Sequence, residues 1–128
     1  MKAQISTEFI VYFLIILFFG AFFLSGHLST KEKLSYLKNE KEVDEFLDRI
    51  VFEINSATIA GDGYERRFYL EDTLAGYSNY KITIQNYSVF LDWGNRSKSS
   101  TIITPSVNGS FKKGWNTIRN LNGVLYVN

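Results

Sequence analysis

Few residues in this chain could do bond chemistry. There is no Cys and a single His, His27. Thiolate metal sites, disulfides and cysteine nucleophiles are therefore absent, as are HExxH pairs and His-based triads. His27 reads as a helix-end or interface residue. Glu71, Asp72 and Asp92 form no EF-hand-like run. Gly61-Asp62-Gly63 lacks the GxxxxGK[ST] frame of a phosphate loop and reads as a turn. These residues predict a non-enzymatic chain without cofactor or metal.

Polar residues with a more specific arrangement stand at the N-terminus. Met1-Lys2-Ala3-Gln4-Ile5-Ser6-Thr7-Glu8 runs directly into residues 9–24, FIVYFLIILFFGAFFL. That run holds six of the chain's 11 Phe, with Gly20 its only break. A segment apolar on all sides cannot be the surface helix of a small soluble domain. Extended from Ile5 to Leu28 it spans about 36 Å as a helix, enough for a hydrocarbon core of about 30 Å. A carboxylate at its edge, Glu8, is costly and marks a functional position.

Three readings of this segment compete. As a cleaved secretory signal it lacks an A-x-A-like site after Leu24, and Glu8 abuts the apolar run. As a plain single-span anchor, Ser6 or Thr7 caps the helix and Glu8 sits in its first turn. In the third reading a peptidase cuts after Ala3. Gln4 then carries a new α-amine that could meet Glu8 of a neighbouring, staggered helix. A self-complementary head of that kind suits a filament.

The string Lys2-Ala3-Gln4-Ile5-Ser6-Thr7-Glu8-Phe9 resembles the start of an archaeal type IV pilin precursor with a class III signal peptide. Gln4, Ser6 and Glu8 match its Gln-x-Ser-x-Glu motif, and Lys2 and Ala3 match its short basic leader. The resemblance implies cleavage by a prepilin-type peptidase between Ala3 and Gln4, with the hydrophobic segment retained. It implies assembly through Gln4, Ser6 and Glu8 with copies of itself or related pilins. The subunit would lie in membrane lipid before assembly and in an extracellular adhesive filament after it. The alternative is a monomeric, membrane-anchored extracellular binding or sensor protein.

The elements that must carry this head follow from periodicity. Residues 31–53 hold seven acidic and five basic side chains, a solvated helix face. Lys38/Glu42, Lys41/Glu45 and Glu45/Arg49 stand four apart and can pair. Val43, Phe46, Leu47, Ile50, Val51, Ile54 and Ala57 form one apolar stripe. No Pro precedes Pro105, so one helix can run from about Thr7 to about Ile59, bent or broken near Ser25-Gly26.

After Gly61 the period becomes two. Arg66 to Leu70 reads as a strand, and Tyr80 to Ile84 with Ser88 to Trp93 as a hairpin. Thr101 to Thr104 reads as a strand stopped by Pro105. Trp115 to Leu121 and Val124 to Val127 flank Asn122-Gly123, a type I′ turn signal. Residues 61–128 are marginal for a free-standing fold without Cys. Packing one sheet face on the helix stripe answers that need. Tyr77, Tyr80, Tyr87, Trp93 and Trp115 read mostly as core or cross-strand partners. The fold class is therefore α+β, a long N-terminal helix against an antiparallel meander of about five or six strands. The divisions are 1–3 leader, 4–28 hydrophobic helix, 29–60 charged amphipathic helix and 61–128 extracellular head.

Three sequons, at Asn86, Asn95 and Asn108, fall in or beside these turns and fit a glycosylated head. Fourteen Lys+Arg balance 13 Asp+Glu. Nothing in that balance suggests a nucleic-acid partner.

Overall fold

A computed structural model describes the backbone of residues 2–128 and the side chains of residues 7–25 and 30–128. One helix, α1 (Lys2–Ala60), precedes all the strands. It continues through Ser25-Gly26, where the sequence permits a break. It stops where Gly61 and Gly63 take φ of +81° and +85°, left-handed values that only Gly adopts without a Cβ penalty. The chain divides into two compact units, Met1–Lys38 and Asn39–Asn128. The second unit thus contains the end of α1 together with every strand.

Seven strands form two sheets in that unit. They are β1 (Glu65–Leu70), β2 (Tyr80–Gln85), β3 (Ser88–Trp93), β4 (Arg96–Thr101), β5 (Val107–Gly109), β6 (Gly114–Leu121) and β7 (Val124–Val127). One sheet has the order β1-β6-β7-β5 and the other β2-β3-β4. All pairs are antiparallel except β5 with β7.

The α+β expectation holds, with seven strands in place of five or six. The two hairpins read from the sequence form in register, Gln85 opposite Ser88 and Leu121 opposite Val124. Asn122 and Gly123 both have positive φ, 53° and 81°, as a type I′ turn requires.

The strand expected at Thr101 to Thr104 is displaced. The ladder to β3 is made by Arg96 to Thr101, a run of polar residues with no apolar period to reveal it. At Ile102 the chain leaves the ladder. Its N–H donates to the Tyr87 carbonyl at 2.9 Å, and its side chain is buried. Strand β5 is three residues long and pairs in parallel, so no hairpin signal announces it.

The helix stripe covers both sheets. Val43, Phe46, Leu47, Ile50, Ile54 and Ala57 are buried, and Val51 packs against them half-buried. Near its end α1 meets the four-stranded sheet: Asn120 Nδ2 donates to the Ala57 carbonyl at 2.9 Å, and Arg66 of β1 faces Glu53. One turn after another toward Asn39, it meets the other sheet. Phe46 packs edge-on against Tyr80 of β2, ring centroids 5.2 Å apart. Arg96 of β4 donates to Glu40 at 3.0 Å, and Lys98 pairs with Asp44. Sequence reasoning left β4 out because its fastening is ionic.

Among the aromatics, Trp93 is core, and Trp115 pairs across strands with Tyr69 at 5.5 Å. Tyr77 and Tyr87 are exposed, against the expectation.

Gly109 is pinned by the backbone of its neighbour β7. It has φ +100°, and a Cβ there would lie 2.2 Å from the Val127 carbonyl oxygen. Gly109→Ala should cost about 1–3 kcal/mol from strained backbone alone. A urea melt should show a lower midpoint; an unchanged midpoint would mean that β5 contributes nothing to the fold.

Candidate functional site

Residues 9–24 of α1 form a continuous apolar surface without cover. Its large apolar side chains are all exposed within the chain, from 46% at Ile15 to 71% at Phe18. The contacts available are local ones, such as Phe9 on Phe13 at 6.4 Å. Residues of this kind have a low energy only in lipid or against other helices. The stretch is long and apolar enough to cross a membrane.

Glu8 is exposed at the start of this run, directly before Phe9. Ala3, Gln4, Ser6 and His27 lie outside the residues whose side chains are described, so the proposed cleavage and pairing atoms have no geometry here.

The three sequon asparagines are all exposed. Asn86 and Asn95 occupy the two-residue turns between β2 and β3 and between β3 and β4. Asn108 lies in β5 and not in the turn expected, since a three-residue strand pairing in parallel leaves no period or hairpin signal.

A cleft of about 330 Å³ lies between α1 and the segment after β1. Glu42, Glu45, Phe46, Arg49, Glu71, Thr73 and Leu74 line it. Its polar groups already have structural work. Glu42 Oε1 accepts the Ala75 N–H at 2.9 Å, and Arg49 donates to Glu71. Arg49 thus reaches Glu71 instead of the Glu45 expected from helical spacing, while Lys41 and Glu45 do pair at 3.4 Å. Burial pushes the Glu71 carboxyl up, but the Arg49 hydrogen bond, a backbone hydrogen bond and the Arg49 charge together hold it below its ordinary value. Burial, with help from the Glu71 and Asp72 charges, pushes the Tyr80 phenol up to about 12. Its hydroxyl donates to the Glu71 carbonyl. Among the described residues no group of three His, Cys, Asp or Glu could hold a metal ion.

Glu53, counted with the solvated charges of residues 31–53, is instead buried. It flanks the stripe between Ile50 and Ile54, which was the available signal, and only 3% of it is exposed. Arg66 Nε approaches its Oε2 to 3.3 Å without hydrogen-bond geometry, and Arg49 Nε nearby is buried with no acceptor. Burial raises the Glu53 carboxyl above its ordinary 4.5, with Arg66 and Arg49 opposing. The folded state therefore holds this proton more tightly than the unfolded chain does. The resulting stability is fully present below pH 4.5 and is lost as pH rises through the raised value. Glu53→Gln should raise the neutral-pH melting midpoint and flatten its pH dependence between mildly acidic and neutral solution. A steeper dependence in the variant would show that the ion pair outweighs desolvation.

Fold and surface together define a class: an α+β head built on the end of an apolar helix long enough to cross a membrane. Comparison with protein-family models, curated proteins and solved structures returned no match to this chain.

Proposed function

We propose that the chain is a structural subunit of an archaeal type IV pilus-like cell-surface filament, a pilin without enzymatic activity. The observation that carries this reading is the string Gln4-x-Ser6-x-Glu8 directly ahead of an apolar run whose side chains find no cover in their own chain. A prepilin-type peptidase removes residues 1–3. The mature helix rests in membrane lipid and then exchanges lipid contacts for those of neighbouring subunits. The head remains outside, with Asn86, Asn95 and Asn108 as glycan acceptors, and the filament serves adhesion or surface attachment.

The mass of the mature N-terminus tests the first step. A chain beginning at Gln4 is expected. Ala3→Leu should abolish processing by crowding a position that takes a small side chain. A chain beginning at Met1 or Lys2 would instead fit a monomeric, single-span binding or sensor protein.

A further inference from the structure

Residues 71–79 join β1, an edge strand of one sheet, to β2, an edge strand of the other. The segment lies as a strap along α1 and walls the cleft that Glu42, Phe46 and Arg49 line from the helix side. Its backbone pairs across its own turn: the Leu74 and Tyr77 N–H groups each donate to the other's carbonyl, at 2.9 and 2.8 Å. Between them Ala75 and Gly76 both have positive φ, 49° and 81°. That is the backbone of a type I′ turn, and it carries a steric penalty at Ala75, which has a Cβ. Leu74 and Ala75 are nonetheless buried. A strained residue keeps its place only where its surroundings hold it there.

Side chains from α1, from β2 and from the residue ahead of β6 hold it. Glu42 Oε1 accepts the Ala75 N–H at 2.9 Å, and Arg49 donates to Glu71. These two helix residues stand seven apart, hence on one face of α1. The Tyr80 hydroxyl donates to the Glu71 carbonyl. Lys113 Nζ donates to the Ser78 carbonyl and lies 5.4 Å from the Tyr80 ring centre. Arg49 and Glu71 are both half-exposed. Fasteners that are few and open to water give way at a lower free energy than the ladders of the sheets. Around Glu71 stand Arg49 of α1, Tyr80 of β2, Tyr69 of β1 and the strap's own Asp72, and the cleft adds Glu42 and Glu45. Against burial, the Arg49 hydrogen bond, a backbone hydrogen bond and the Arg49 charge hold the Glu71 carboxyl below its ordinary 4.5. The contribution of this pairing is therefore fully present above pH 4.5 and is lost as pH falls through the lowered value. Glu53 in the core titrates in the opposite sense and keeps its contribution in acid.

We infer that residues 71–79 are a releasable strap: they leave α1 as one unit, uncovering Phe46, while both sheets and the rest of the core stay folded, and acid favours the released form. The strain at Ala75 is relieved on release, and the bonds to Glu42, Arg49 and Lys113 oppose it. The strap and its fasteners lie wholly within the head, so the device holds for a filament subunit and for a monomeric anchor alike.

Amide hydrogen exchange of the full chain in detergent micelles, expressed as protection factors, reads the release. In the wild type the Ala75 amide should be less protected than the amides of β6, and acidification from about pH 7 to about pH 3 should widen that gap. The decisive variants lie at the two ends of the strap, away from the amide that is read. Glu71→Gln removes the charge pairing with Arg49, and Lys113→Met removes the bond to Ser78. Neither touches the bond between Ala75 and Glu42. Each should lower Ala75 protection about threefold and leave β6 unchanged. The further loss in acid should be smaller in Glu71→Gln than in the wild type. Ala75 protected as strongly as β6 would mean that the strap opens only with the whole head, and would overturn the proposal. So would equal losses at Ala75 and β6 in the variants, or no change at Ala75 in either. An undiminished acid effect in Glu71→Gln would overturn the acid dependence assigned to Glu71.

Discussion

Glu8→Gln is expected to leave the subunit made, inserted and processed, yet absent from filaments. In a monomeric anchor Glu8 lies beyond the first turn of α1, which begins at Lys2 and not at the Ser6 or Thr7 cap expected from the sequence, so the helix dipole gives it no appreciable role. Its removal would be neutral there, or would ease insertion. In an assembling subunit the carboxylate faces the α-amine of Gln4 on a neighbour, in surroundings with little water. Removing one partner of a buried pair leaves a buried ammonium and costs about 3–5 kcal/mol. A filament repeats that loss at every subunit, so growth stops and free subunits accumulate in the membrane. Lys2 is no substitute, because it departs with the leader. Counting filaments by electron microscopy, with mass mapping of the subunit, reads the outcome. Wild-type filament numbers containing the Glu8→Gln subunit would defeat the pairing.

Legibility of the fold followed the kind of force at work. Where burial sets the structure, the sequence shows it: the stripe from Val43 to Ala57 and the inward residues of β3 repeat apolar types at the period of their element. Turn chemistry was equally plain at Asn122-Gly123, where two positive φ values select those residues. Strand β4 was hidden because backbone pairing and the reach of Arg96 and Lys98 to Glu40 and Asp44 hold it, and neither leaves a hydrophobic period. Strand β5 was hidden because three residues are too few for any period. At the N-terminus the apolar run is legible from composition alone, whereas the role of Gln4, Ser6 and Glu8 depends on atoms of neighbouring copies that no single chain contains.

The head should fold when the chain begins near Lys31 and should fail to fold when it begins at Gly61. Strands alone leave Ile118, Leu125, Val127 and Leu91 facing water on the side that α1 now covers. From the helix, Val43, Phe46, Leu47, Ile50 and Ile54 are each at most 4% exposed. Full burial of such side chains stabilises by about 1.5–3 kcal/mol each, so together they contribute on the order of 10 kcal/mol. The whole stability of a domain this size is about 5–15 kcal/mol, so the strands cannot keep their fold without the helix. Ile50 is the most informative single position, since it is fully buried midway along the stripe. Ile50→Ala should cost about 2–5 kcal/mol through lost contacts and the cavity left behind. The buried Trp93 supplies a fluorescence signal for urea melts of the chain starting at Lys31. Two results would show that α1 lies on the sheets without stabilising them: an unchanged midpoint for Ile50→Ala, or an equally stable chain starting at Gly61.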